Sequence, residues 1–129
     1  MFFRYTWPAW VWTIIICILC LLPGDQLPKD PIQNADKIYH AGAFGLLSFL
    51  FALGFAKQFS FTSIRKYAIP VSIILSAALG GLIEVLQHHF VKNRFGDWMD
   101  FGFDVAGSLI GAIIVWILTL YLNKKAENQ

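Results

Sequence analysis

The sequence predicts an all-α, polytopic membrane protein with four transmembrane helices, organised as a single domain over residues 1–129. Three observations predict it. The chain is 57% hydrophobic with a mean hydropathy of +0.61, more apolar surface than a soluble domain of this length can bury. Its apolar residues fall into four runs near the length needed to cross a bilayer, separated by polar or proline-rich connections. Its charges gather at the ends of those runs. Four of the eight acids, Glu84, Asp97, Asp100 and Asp104, lie in the single window from Gly80 to Gly111. A net charge of +2 gives no case for a nucleic-acid partner; the partner expected first is the lipid bilayer.

The first run is WPAWVWTIIICILCLL, preceded by Arg4. Pro8 is expected in the first helical turn, where its missing N–H costs nothing. Trp7, Trp10 and Trp12 suit the headgroup level of a membrane entry point. The outline resembles a signal peptide, but the run ends in Pro23-Gly24-Asp25 without a small-x-small site, so a retained helix is expected. Starting it at Phe2 brings a short run closer to span length. Cys17 and Cys20 have CxxC spacing, yet on a lipid-embedded helix they act as small hydrophobes.

Residues 23–35 hold three of the five prolines and read as an irregular loop. The second helix follows from Asp36 to about Lys57, with Asp36 as a first-turn acid or N-cap and His40 on the same face four residues on. The basic connection KQFSFTSIRKY leads to a third helix from about Tyr67 to Phe90, with Pro70 in its first turn. Ser76, Gly80 and Glu84 share one face of it, a small-residue stripe ending in a carboxylate. Gln87 and His88 follow on that face; His88 and His89 stand at the helix end, where His89 reads as interfacial. After the loop VKNRFGDWM, the fourth helix starts near Asp100 and runs to Leu122. It carries Asp100, Asp104, Gly107 and Gly111 on one face, and the tail NKKAENQ is expected to fray.

Charge bias sets the orientation. Arg4, Lys57, Arg65, Lys66, Lys124 and Lys125 fall on one side of such a bundle, and Lys29, Lys37, Lys92 and Arg94 on the other. The positive-inside rule then places both termini in the cytoplasm. On that topology Asp36, Lys37, His40, Glu84, Gln87, His88, Arg94, Asp97, Asp100 and Asp104 are expected to meet at the outer, extracytoplasmic mouth.

Ionisable groups within spanning helices are costly, so they pair, line a wet cavity or serve a function. One reading is structural: Lys37 and Arg94 neutralise the acids and lock three helix ends into a polar knot. Two others are chemical. His40, Glu84, Asp100 and Asp104 offer oxygen and imidazole ligands for a divalent cation. Alternatively, Lys37, Arg94 and a histidine cradle an anionic headgroup, with Glu84 or an aspartate as general base. His40, Glu84 and Asp100 are the candidate catalytic groups.

Asp36-Lys37-x-x-His40-x-x-x-Phe44, then Glu84-x-x-Gln87, then Arg94-x-x-Asp97-x-x-Asp100-x-x-x-Asp104-x-x-Gly107-x-x-x-Gly111 together resemble the signature of VanZ-like membrane proteins, over roughly residues 36–118. That family is named for a protein associated with teicoplanin resistance in glycopeptide-resistance clusters. The usual family pattern has Asn where this chain has Asp104; the added negative charge favours a cation or a tighter pair with Arg94. The resemblance implies a small multi-pass protein of the bacterial cytoplasmic (inner) membrane, in the cell envelope, and carries no reaction with it. The site is expected to bind or process an anionic lipid-linked or cell-wall-related substrate, such as a cell-wall precursor. The alternative is a non-catalytic subunit or scaffold that docks a membrane-protein partner.

Overall fold

Four long helices and one short one account for the residues described by the computed structural model, which are 1–23, 35–92 and 96–128. They are α1 (Phe2–Cys20), α2 (Ala35–Lys57), α3 (Thr62–Lys66), α4 (Ala68–Phe90) and α5 (Trp98–Glu127). The long helices contain 19, 23, 23 and 30 residues, and all four are long and apolar enough to cross a membrane. At ~1.5 Å per residue they measure from about 28 to about 45 Å, against a hydrocarbon core of about 30 Å.

The burial pattern fits lipid rather than water. Large apolar side chains such as Ile14, Ile18, Ile74, Leu82, Ile113 and Ile117 are exposed, while Thr6, Ser48, Ser72, Ser76 and Ser108 are buried. Small hydroxyl residues inside let the helices approach closely, and those of Thr6, Ser72 and Ser108 return their O–H groups to backbone carbonyls. Ser72 donates to Ile69 O at 2.7 Å and Ser108 to Asp104 O at 2.7 Å. A chain with no water on its outer face has no reason to invert that arrangement.

α2 is the central helix and touches α1, α3, α4 and α5; its most extensive pairing is with α5. The α2–α5 seam is glycine-lined. A Cβ on Gly107 would run into the carbonyl of Ala41, and one on Gly111 into the carbonyl of Gly45. α1 is tied on from the other side, where Trp12 Nε1 donates to Ala43 O at 2.9 Å. Trp12 therefore works as an interhelical strut rather than as a headgroup anchor. Trp7 and Trp10 are exposed.

Several boundaries differ from expectation. α1 begins at Phe2, so Pro8 stands inside the helix rather than in its first turn, and the carbonyl four residues earlier loses its intrahelical donor. The basic connection contains the short helix α3. Its entry is held by buried Gln58, whose side chain accepts from Phe61 N at 2.9 Å and donates to Phe61 O at 2.8 Å. α5 starts two residues earlier than expected and continues through Lys124 and Lys125 to Glu127. At about 45 Å it outruns the bilayer core, so its polar last turns extend as solvated helix.

Candidate functional site

Three helix ends meet at one end of the bundle: the first turns of α2, the last turns of α4 and the first turns of α5. α5 is capped by Asp97, whose side chain accepts from Met99 N at 2.8 Å. That N–H foremost, and then the Lys37 ammonium, hold the Asp97 carboxyl below the usual carboxylate range. The cap is therefore fully formed at neutral pH and is lost only as the pH falls through that depressed value.

The charged groups form two layers. In the upper one Lys37 Nζ donates to Asp100 Oδ1 at 3.1 Å and to Asp97 Oδ2 at 3.3 Å, and lies 3.6 Å from Asp36 Oδ2. Asp36 is the most open of these, with its side chain 56% exposed. The lower layer is buried. His40 Nδ1 donates to Asp104 Oδ1 at 2.9 Å, and the imidazole stacks on Phe44 at 6.3 Å between ring centroids. Asp100 joins the layers, its Oδ2 lying 4.0 Å from His40 Nε2. Glu84 Oε2 accepts the backbone N–H of Asp97 at 2.7 Å, which pins the start of α5 against the end of α4.

His40, Glu84 and Asp104 are 6%, 4% and 0% exposed. Each offers one ligand atom, and these atoms lie within 4.8 Å of one another. Glu84 Oε1 and Asp104 Oδ2 have no hydrogen-bond partner among the described residues. Buried carboxylate oxygens left that way are costly.

The other expected residues sort as follows. Asp36, Lys37, Asp97 and Asp100 make the upper layer. Gln87 is buried but points elsewhere, donating to Cys20 O at 2.8 Å and so tying α4 to the end of α1. His88 and His89 are exposed and pack ring to ring. Arg94 lies outside the described residues. The sequence reading placed Gly80 in a packing stripe and missed its bearing on the site. An added Cβ there would stand 2.6 Å from Asp104 Oδ2 and 3.0 Å from Asp104 Cβ. The spacing Gly80-x-x-x-Glu84 was the available signal, but only the cross-helix pairing identifies the neighbour.

Gly80→Ala is accordingly expected to push Asp104 off His40 and to destabilise the protein by about 1–3 kcal/mol, the usual cost of overpacking. Chemical denaturation in micelles checks it. Unchanged stability would mean that Asp104 has room to move.

A polytopic α-helical membrane protein with a buried acid–imidazole cluster at one end of its bundle is the class this fold and site define. The family model described as VanZ/LLP1 matches residues 1–119, and the chain belongs to that family. The match takes in α1 and most of α5, beyond the span of the site motifs. No curated protein and no solved structure matched the chain.

Proposed function

We propose that this VanZ/LLP1 protein is a small component of the bacterial cell envelope. It lies in the cytoplasmic membrane with both termini inside, and its polar cluster faces outward to bind, and to offer acid–base groups to, an anionic lipid-linked or cell-wall-related substrate. The observation that carries this is the buried group of His40, Glu84 and Asp104, with two carboxylate oxygens lacking partners among the described residues. A lipid-linked substrate is favoured by the neighbouring surface. A crevice of about 490 Å³ between α2 and α5, lined by Ile38, Gly42, Leu46, Phe49, Ile110 and Ile114 among others, starts at the turn that carries Lys37 and His40. It is open and apolar, a surface that suits an acyl or prenyl chain whose headgroup would lie at the cluster.

A second reading has its own support. Lys37 bridges three carboxylates from two helix ends, which is what a scaffold with a purely architectural knot would need.

The two separate by melting the purified protein in detergent with added polyprenyl phosphate, phosphatidylglycerol or phosphatidylcholine. A rise in melting temperature with a phosphate-bearing anionic lipid, absent with phosphatidylcholine and lost in folded Glu84→Gln, is the expected result. No lipid-dependent difference, together with variants that lose the fold, would establish the scaffold.

A further inference from the structure

The upper layer raises a difficulty for any anionic ligand. Its described groups are Lys37 against Asp36, Asp97 and Asp100, and beneath them lie two more carboxylates. A phosphate approaching this face meets like charge unless a cation intervenes. The lower layer contains the donor set to hold one.

We propose that His40, Glu84 and Asp104 bind a divalent transition-metal ion of zinc's ligand preference. Three features of the molecule support this. The donors come from three different helices and converge to within 4.8 Å. Four-coordinate zinc, with bonds of about 2.0–2.2 Å, spaces its ligands about 3.5 Å apart, so small rotamer changes close the set. Next, Glu84 Oε1 and Asp104 Oδ2 are buried oxygens without partners among the described residues, and the missing side chain at Gly80 leaves the space that Asp104 Oδ2 uses. Finally, the charges match. Lys37 is engaged with the upper acids, and a doubly charged ion balances two carboxylates beside a neutral imidazole.

One imidazole with two carboxylates favours zinc or manganese over the all-oxygen sets of calcium and magnesium. Cys17 and Cys20 are on α1 and take no part. Three protein ligands leave a coordination position free, as in zinc sites that bind water or substrate oxygen. That position gives an anionic headgroup a favourable contact that the rim of acids denies it. This last step rests on the lipid reading; the ion itself does not.

The test uses tag-free, full-length protein in detergent, stripped with EDTA, reloaded with zinc or manganese chloride and desalted. Elemental analysis should find one ion per chain, with a raised melting temperature. Glu84→Gln and Asp104→Asn keep an acceptor oxygen for Asp97 N and for His40, so both should fold, and their ion affinity should fall about tenfold or more. Glu127→Gln, at the far end of α5, should retain the ion. A cobalt-loaded sample supplies a second readout that needs no variant, because X-ray absorption should show an oxygen-rich shell containing one imidazole. No retained ion, retention by both site variants, or a shell without imidazole would overturn the proposal. A bound ion with no response to polyprenyl phosphate or phosphatidylglycerol would leave the metal site standing and remove the lipid reading. Lipid binding to a protein that retains no ion would do the reverse.

Discussion

Gly107→Ala is expected to cost at least about 3 kcal/mol, the upper end of the overpacking range, and to take the polar cluster apart with it. The position leaves no room for compromise. The added methyl would meet the carbonyl of Ala41, and one turn further Gly111 stands in the same relation to the carbonyl of Gly45. Backbone cannot rotate out of the way as the tip of a side chain can, so α2 and α5 must separate along their whole seam. That seam is also what brings Asp100 and Asp104 of α5 to Lys37 and His40 of α2. Stability and ligand binding should therefore fall together. Gly42→Ala is the control, because nothing lies within 4 Å of its added Cβ; it should match the parent or exceed it by up to about 1 kcal/mol through helix propensity. SDS titration in micelles, followed by the fluorescence of the five tryptophans, measures both. A Gly107→Ala protein as stable as the parent would mean that the seam is looser than described.

The seam shows why much of this fold was legible in the sequence. Lipid demands about twenty apolar residues per span and close helix contact demands small side chains. Four runs and the Gly107/Gly111 face could therefore be read from spacing alone. The shared end of the polar residues followed from helical phase and an up-and-down topology: Asp36 and His40 open one helix, Glu84 closes another, and Asp100 and Asp104 open the next. What escaped was whatever depends on a neighbour far away in the chain. Gln87 has the same periodicity as Glu84 yet reaches a backbone carbonyl of α1. Gly80 reads as one more small residue until α5 is laid beside it. Trp12 looks like an interface anchor until Ala43 O is found to accept its N–H. α3 is five residues long, too short for hydrophobic periodicity to register.

The last expected result concerns the pair at the centre of the site. His40→Leu leaves the buried Asp104 carboxylate without its imidazole, and Asp104→Ala leaves the imidazole without its carboxylate. Each should cost about 3–5 kcal/mol, as removal of one member of a buried charged pair does. The double variant should recover most of that loss, to within about 1 kcal/mol of the parent, since replacing both partners by apolar groups removes the desolvation penalty as well. Alanine suits position 104 because it removes the carboxylate and adds no bulk on the side where Gly80 lies. The contact from Ser108 Oγ goes to the Asp104 backbone and survives either change. Recovery would mean that the bundle does not need this pair to fold, so the pair's cost to the parent must be offset by what it binds. If the double variant instead stays as unstable as either single variant, the bundle needs this pair to fold and the pair is architectural. The scaffold reading would then gain, and the ion would have to be judged by elemental analysis alone.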